Sequence, residues 1–428
     1  MRRLTLAISI AFGLVECAPA TPRDDMNSIA ERYVKLVLKV GQHDKNFVDA
    51  YYGDPAWKPT GAALSLTELT GEAGLLRKQL SELEPDRSNE MARLRHDYLE
   101  KQLTAVDARI LMLAGQKFSF DDEAARLYDA KPPAMTEADF QPALDELGRL
   151  LPGRGPLVDR YAAFRQKYVI PTDKLDAVFR AAIDGCRSKT LEHLKLPAGE
   201  TFTVEYVKGK SWSAYNWYKG NFTSVIQVNT DLPITIDRAI DLACHEGYPG
   251  HHVYNALLEQ HLVRERGWVE FSVYPLFSPQ SLIAEGTANF GIEVAFPGEA
   301  RTAFERDRLY PIAGLDPATA NTYASVQRQI AKLSYAGNEA ARKYLNGEID
   351  RDAAVARLQK WAMSPSDRAE QRTRFFDEYR SYVINYNLGQ DLVRAYVEKH
   401  GGTEDKPEDR WRIFGELLSS PRLPSGLK

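Results

Sequence analysis

The segment His-Glu-Gly-Tyr-Pro-Gly-His-His, at residues 245–252, is the most informative part of this chain of 428 residues. A catalytic zinc ion takes about three protein ligands, keeps one position for water, and works with a carboxylate that accepts the proton of that water. Two histidines four residues apart on a helix reach one ion, as in the pattern His-Glu-x-x-His. Here the residue four after His245 is Pro249, so a regular helix would not bring two histidines to one ion.

Pro249-Gly250 predicts a break that removes this difficulty. Proline cannot donate to the carbonyl of His245 and its ring crowds that carbonyl, while glycine takes backbone angles that are closed to other residues. A bulge of two residues would bring His251 to the place of the second ligand, and a bulge of three would bring His252 there. Because the break is two residues long, we predict that His251 binds the metal. His252 is the alternative ligand, or it lies behind the ligands and orients them.

The third ligand is predicted on a second helix. Ser278-Pro279 is a cap followed by a first-turn proline, which indicates a helix start. Glu285 lies in that helix between two small residues, and small neighbours allow two helices to approach closely. We therefore predict that His245, His251 and Glu285 hold Zn²⁺. Glu293, two turns further on, is the substitute for the acidic ligand.

The octapeptide at 245–252 resembles the signature of domain of unknown function family 885, whose members resemble helical gluzincin-type zinc metallopeptidases. Glu285-Gly286-Thr287-Ala288 is similar to the family's Glu-Gly-Trp-Ala, with Thr287 in the position of the tryptophan. Tyr386-Asn387-Leu388-Gly389 is similar to its Tyr-x-x-Gly. The resemblance spans roughly residues 200 to 400, and it implies a zincin-like fold in which the strand before the zinc-binding helix pairs with a peptide substrate.

These residues predict a zinc-dependent hydrolase, foremost a metallopeptidase. Glu246 is predicted to act as general base on a zinc-activated water, and Tyr386 to donate a hydrogen bond to the oxyanion, with Tyr382 as its competitor. Tyr248 and His252 are predicted to contact the substrate, a peptide or a small amide. Two alternatives stay open: a zinc hydrolase of non-peptide amides or esters, and a secreted binding protein without catalysis on the same scaffold.

The sequence pattern predicts a mainly α, large, two-lobed helical fold of the zincin-like kind, with a small β-sheet preceding the zinc-binding helix. Residues 21–200 are predicted to form an N-terminal helical lobe, in which residues 65–68 make a capping box. Residues 201–428 form the predicted catalytic lobe. Its predicted strands, Phe202–Val207 and Phe222–Val228, are rich in β-branched and aromatic residues.

The N-terminus predicts export. Basic Met1-Arg2-Arg3, an apolar stretch from Leu4 to Val15 and the small residues of Ala18-Pro19-Ala20 form the pattern of a secretory signal peptide at residues 1–20. The protein is therefore predicted to be periplasmic or extracellular. Cys17 would allow a lipid anchor, but the residue before it is acidic where a lipoprotein signal has a small residue, so soluble export is preferred.

The composition predicts a soluble globular protein without nucleic acid or a membrane span among its partners. Apolar residues make up 44% and charged residues 27%, and the net charge is −4. Cys186 and Cys244 follow the predicted signal, and the sequence leaves open whether they pair. Arg372, Arg374 and Arg380 are interpreted as a solvated helix face rather than as a site for a substrate carboxylate. The oligomeric state is not indicated.

Overall fold

The computed structural model describes residues 25–86 and 88–428, so the predicted signal peptide at 1–20 and Cys17 lie outside the described residues. The predicted capping box at 65–68 is present at the first turn of a helix. The elements of this first part of the chain are α1 (Met26–Val40), β1 (Val48–Tyr51), α2 (Leu66–Ser81), α3 (Glu90–Leu113), α4 (Phe120–Tyr128), α5 (Glu137–Leu150), α6 (Leu157–Gln166) and α7 (Leu175–His193).

A three-stranded sheet comes directly before the histidine-rich segment. Its strands are β2 (Thr201–Val207), β3 (Ala214–Gly220) and β4 (Thr223–Asn229), in the order β2-β4-β3. β4 runs parallel to β2 and antiparallel to β3. The two predicted strands are confirmed as β2 and β4. The sequence did not predict β3, because aromatic residues on both of its faces hide the period-two alternation of a strand.

Helices follow the sheet to the end of the chain, so the predicted mainly α class is confirmed. No helix among the described residues is both long and apolar enough to cross a membrane. The elements of this second part are α8 (Ile236–Leu242), α9 (His251–Leu258), β5 (Val273–Pro275), α10 (Pro279–Ala295), α11 (Ala300–Phe304), α12 (Tyr310–Ala313), α13 (Ala320–Ala331), α14 (Ser334–Leu345), α15 (Arg351–Trp361), α16 (Ser366–Tyr379), α17 (Ile384–Lys399) and α18 (Pro407–Leu418).

The two parts of the chain share one large hydrophobic core. Buried apolar side chains of this core come from α1 at one end of the sequence and from α18 at the other. β1 also pairs antiparallel with β5, which joins the first part of the chain to the segment that leads into α10. The division into lobes at residue 200 stays a prediction. The shared core and the β1–β5 pair mean that side chains from before residue 200 can reach the histidine-rich segment.

A disulfide bond answers the question that the sequence left open about the cysteines. Cys186 on α7 is bonded to Cys244, and both side chains are buried. Cys244 directly precedes His245, so the bond attaches the start of the histidine-rich segment to α7. The bond encloses a sequence separation of 58 residues and fixes one of the candidate ligands relative to the helical core.

Candidate metal centre

The predicted helix break at Pro249-Gly250 is present. A π-helical turn at Ala243–Gly247 follows α8, the chain leaves the helix, and α9 begins at His251. The amide of Gly250 donates to the carbonyl of Cys244 at 3.0 Å. A Cβ on Gly250 would lie 1.8 Å from the carbonyl oxygen of His245. Glycine is therefore required by close approach of the backbone, whereas its φ of −79° is ordinary.

The break brings three of the predicted residues together. Nε2 of His251 lies 3.1 Å from Nε2 of His245. Oε2 of Glu285, on α10, lies 3.1 Å from Nε2 of His245 and 3.7 Å from Nε2 of His251. The three ligand-type atoms form a compact triangle between α9 and α10, and all three side chains are at least largely buried.

Hydrogen bonds behind His245 fix which of its nitrogens faces this triangle. The side-chain amide of Asn289 donates to the carbonyl of Tyr386 at 3.0 Å, which orients its oxygen toward Nδ1 of His245, also at 3.0 Å. Because that oxygen can only accept, Nδ1 must carry the hydrogen. In its neutral form His245 therefore presents the lone pair of Nε2 to the triangle, and in its charged form it donates from Nε2 to Glu285. An imidazole held by an outer hydrogen bond in this way is typical of metal-bound histidines.

The separations within the triangle fit a zinc ion. Three tetrahedral ligand atoms at zinc bond lengths of about 2.0–2.1 Å lie about 3.3 Å from one another. The observed separations are 3.1, 3.1 and 3.7 Å. Oε2 of Glu285 is buried and accepts no hydrogen bond from the described residues. Two imidazole nitrogens and a carboxylate oxygen are the donor set of catalytic zinc sites.

Tyr382 orients the acidic member of the triangle. Its hydroxyl donates to Oε1 of Glu285 at 2.8 Å, which leaves Oε2 for the two histidines. Burial alone would raise the pKa of Glu285, but His245 and His251 together hold it well below its usual range. Glu285 is therefore a carboxylate. The hydroxyl of Tyr382, which the sequence interpretation considered for the oxyanion, is already engaged.

Glu246 lies beside the triangle without a partner for its carboxylate. Its side chain is 4% exposed and forms no hydrogen bond or ion pair within the described residues, while its backbone carbonyl accepts from Asn216 at 2.7 Å. Burial raises the pKa of Glu246 to about 7, with the charge of His251 opposing this rise and that of Glu285 adding to it. An unengaged buried carboxyl next to the ligands is free to exchange a proton with a neighbouring molecule.

The structure does not bring His252 or Tyr248 to the triangle. Nδ1 of His252 lies 2.9 Å from the hydroxyl of Ser224, and Nε2 lies 3.0 Å from a carboxylate oxygen of Glu200. The hydroxyl of Tyr248 donates to the same carboxylate at 2.5 Å. Both nitrogens of His252 are engaged and its side chain is fully buried. Both residues attach the broken helix to the sheet and to the loop before it.

Tyr386 lies close enough to the triangle for the charge of Glu285 to act on it, and its hydroxyl forms no hydrogen bond within the described residues. Its ring packs edge to face against that of Tyr382 at 5.8 Å between centroids. Burial raises the pKa of Tyr386 well above its usual value, the charges of Glu285 and Glu246 add to the rise, and Arg372 opposes it. The hydroxyl therefore stays protonated and is available as a hydrogen-bond donor.

Two nearby residues were missed by the sequence interpretation. Asn289 stands four residues after Glu285, and this spacing places it on the same helix face, so the signal was present. Asp49 on β1 accepts a hydrogen bond from Tyr215, and burial raises its pKa to about 6 although Tyr215 and the charge of His251 oppose the rise. No local signal marked Asp49, because contacts of β1 with the distant strands β3 and β5 bring it to this region.

Other acidic groups are engaged elsewhere. Glu293, the predicted substitute ligand, accepts hydrogen bonds from Arg394 and Gln390 instead of facing the histidines. A second group of ligand-type side chains lies on α3, but there His96 lies 3.2 Å from the carbonyl of Leu80 and Asp97 pairs with Arg93. The triangle is thus the stronger candidate metal centre among the described residues.

Comparison with known proteins shows a likeness of fold. No protein-family model and no curated protein matches this chain. A crystal structure described as that of "the putative lipoprotein from Colwellia psychrerythraea" has a TM-score of 0.50 and 13% sequence identity, covering 87% of this chain and 69% of that one. A structure described as "a putative lipoprotein of unknown function from Shewanella oneidensis" has a TM-score of 0.39 and 14% identity, covering 82% and 72%. At this identity the Colwellia structure is evidence for the fold alone.

Proposed function

We propose that this protein is a zinc-dependent hydrolase, and that it is a metallopeptidase with a zincin-like fold. The observation that carries the proposal is the triangle of His245, His251 and Glu285, with the unengaged carboxyl of Glu246 beside it. Three ligands leave one zinc position open, which distinguishes catalytic from structural zinc sites. A structural site has no use for a buried, unpaired carboxyl next to its ligands.

Each of these residues has a defined role in the proposed reaction. Zinc, when bound by the triangle, would supply a Lewis acid that polarises the scissile carbonyl and makes water more acidic. Glu246 accepts a proton from the attacking water and delivers it to the departing amine. Tyr386, whose hydroxyl has no hydrogen-bond partner in the described part of the chain, donates to the oxyanion of the substrate. Asn289 and Tyr382 hold His245 and Glu285 in their orientations.

Two further observations support parts of this proposal. The resemblance of residues 245–252 to domain of unknown function family 885 supports a gluzincin-like peptidase, and so does the position of the sheet directly before the broken helix. The buried Cys186–Cys244 disulfide supports export, because disulfides persist in oxidising compartments. Soluble export to the periplasm or the extracellular space remains our proposal for the location.

Metal analysis combined with a digest tests the proposal. The purified protein, loaded with zinc and dialysed, is expected to contain about one zinc ion per chain. It is expected to cleave a random peptide library, to stop after chelation and to recover when zinc is restored. Cleavage of esters or non-peptide amides in place of peptides would support the hydrolase but not the peptidase. A folded chain that retains no zinc would rule out both.

A further inference from the structure

The three arginines interpreted as a solvated helix face have different surroundings in the structure. Arg374 is exposed on α16. Arg380 pairs with Glu123, its Nε lying 2.7 Å from a carboxylate oxygen. Arg372 is only partly exposed, and it forms no ion pair and no hydrogen bond within the described residues. The interpretation as a solvated face therefore holds for Arg374 and does not explain Arg372.

The guanidinium of Arg372 lies among apolar groups. Its central carbon is 5.6 Å from the ring centroid of Phe375 and 5.9 Å from that of Phe376. One of its terminal nitrogens lies 3.7 Å from the place that a Cβ on Gly337 of α14 would take. Burial lowers the pKa of Arg372. A guanidinium largely removed from water without an anion is costly, and a bound anionic ligand would supply the missing charge.

Arg372 lies near Tyr386, because its charge acts on the hydroxyl of that tyrosine. The ring of Phe375, on which the guanidinium packs, has its centroid 6.4 Å from that of Tyr386 and 6.5 Å from that of Tyr382. Tyr382 in turn donates to Glu285 of the triangle. A ligand that contacts both the triangle and the hydroxyl of Tyr386 therefore lies near Arg372.

A second unpaired arginine stands one turn earlier on the same face of α16. Arg368 donates to the carbonyl of Pro233 at 3.3 Å, and it forms no ion pair within the described part of the chain. Burial, together with the positive charges of Arg165 and Arg238, lowers the pKa of Arg368 to about 10, although the charge of Asp367 opposes the change. Positive charge thus accumulates along this face, an arrangement that attracts an anion.

We propose that Arg372 binds the C-terminal carboxylate of the substrate, so that the protein removes residues from the C-terminus of short peptides. A guanidinium holds a carboxylate through two parallel hydrogen bonds, which fixes direction as well as position. This inference rests on the proposed function for its chemistry. The acyl carbon gains the hydroxyl of water, the C–N bond breaks, and the amine leaves with the proton carried by Glu246. No other co-reactant is needed.

Binding measurements test this inference without relying on turnover. A pool of random tripeptides is prepared twice, once with free C-terminal carboxylates and once as C-terminal amides. Both pools are titrated calorimetrically into the zinc-loaded Glu246→Gln variant. The acid pool is expected to bind about 10- to 100-fold more tightly, the range for a charge-assisted hydrogen-bonded pair. Combining Glu246→Gln with Arg372→Gln is expected to remove the preference for a free C-terminal carboxylate. Combining it with Arg374→Gln, on the same helix, is expected to keep that preference.

Thermal stability distinguishes a ligand-binding arginine from a structural one, because replacing a structural arginine lowers the unfolding temperature. Because Arg372 has no anionic partner among residues 25–86 and 88–428, Arg372→Gln is expected to unfold at the same or a higher temperature than the parent. Should this variant fail to fold, Arg372→Lys keeps a charge and loses the two-pronged geometry, and it is expected to retain only part of the preference for acids. A loss of thermal stability with the preference intact would overturn the inference.

The outcomes separate this inference from the proposed function. If the wild-type enzyme cleaves amide peptides with zinc while both pools bind equally, the peptidase stands and the carboxylate site is overturned. If Arg372→Gln removes a clear preference for acids but no zinc-dependent cleavage occurs, the carboxylate site stands and the peptidase falls. Equal binding of both pools to the Arg372 and Arg374 variants alike also overturns the site.

Discussion

Gly286 on α10 and Gly389 on α17 are in backbone contact: a Cβ added to Gly286 would lie 2.5 Å from the carbonyl carbon of Gly389. Gly286 directly follows Glu285, and Gly389 stands one turn after Tyr386. The contact therefore sets the distance between the acidic ligand and the two tyrosines that face it. Both glycines belong to the short motifs singled out in the sequence, and their contact gives both motifs the same physical reason: close packing of α10 against α17.

Gly389→Ala is expected to destabilise the fold and loosen the metal centre. The added methyl would lie 2.6 Å from the carbonyl oxygen of Leu282, so α10 and α17 must separate, at a cost of about 1–3 kcal/mol in the free energy of unfolding. Chemical denaturation and zinc content measure the two effects. Gly148→Ala in α5, where a Cβ meets nothing within 4 Å, is the control and is expected to be neutral or stabilising. Equal stability of both variants would contradict the argument.

Local chemistry made part of the centre predictable from the sequence. Pro249 lacks the amide hydrogen that a helix needs at that position, so the break follows from covalent structure alone. The small neighbours of Glu285 predicted close helix packing, and Gly286 provides it. The helical class follows in the same way from apolar periodicity, which is a property of each segment by itself.

The rest depended on contacts between distant parts of the chain. Whether His251 or His252 joins the triangle is decided by Glu200 and Ser224, which hold both nitrogens of His252 and are 52 and 28 residues away from it. Asp49 reaches the region through contacts of β1 with β3 and β5, which are distant in sequence. No periodicity or spacing within a short window reports on such pairings, so the sequence left these assignments open.

His251→Ala is expected to lose bound zinc, whereas His252→Ala is expected to keep it. The first substitution removes one corner of the triangle. The second leaves the triangle intact but deprives Glu200 and Ser224 of a partner, which lowers the free energy of unfolding by about 1–3 kcal/mol. Zinc content after dialysis, together with thermal melting, measures both. A folded His252→Ala variant without zinc would reverse the assignment.

Glu246→Gln is expected to keep the metal and to lower turnover about 10²- to 10⁴-fold. The amide has nearly the shape of the carboxyl but cannot accept the proton of water. Single-turnover kinetics on a cleavable peptide, with zinc content measured in parallel, provide the test. Asp49→Asn is a matched control because it changes another buried acid of this region without touching the proposed base. Turnover of Glu246→Gln near that of the wild type would mean that another group takes the proton.

Tyr382→Phe is expected to impair zinc binding, whereas Tyr386→Phe is expected to impair turnover. Removing the hydroxyl of Tyr382 frees Oε1 of Glu285 and is expected to weaken zinc affinity about 10- to 100-fold. Removing the hydroxyl of Tyr386 is expected to leave zinc affinity unchanged and to lower kcat about 10²- to 10³-fold, the range for one oxyanion donor. Chelator competition and steady-state kinetics distinguish them. If Tyr382→Phe lowers kcat and Tyr386→Phe weakens zinc affinity instead, the oxyanion contact belongs to Tyr382.

Asn289→Ala is expected to weaken zinc affinity although Asn289 is not one of the proposed ligands. The side chain receives the Nδ1 hydrogen of His245 and is itself oriented by the carbonyl of Tyr386. Without it, the imidazole can rotate or carry its hydrogen on Nε2, and both changes remove the lone pair that faces Glu285. Loss of such an outer partner typically costs about 10- to 100-fold in metal affinity.

The chemistry of the side chain separates this role from simple packing. Asn289→Asp keeps an acceptor for His245 and is expected to retain most of the zinc affinity, even though it gives up the hydrogen bond to Tyr386. Asn289→Leu fills a similar volume without any acceptor and is expected to behave like the alanine variant. Competition with a chelator of known affinity ranks the three variants. Equal affinity of the aspartate and leucine variants would show that the volume of Asn289, rather than its oxygen, supports the metal centre.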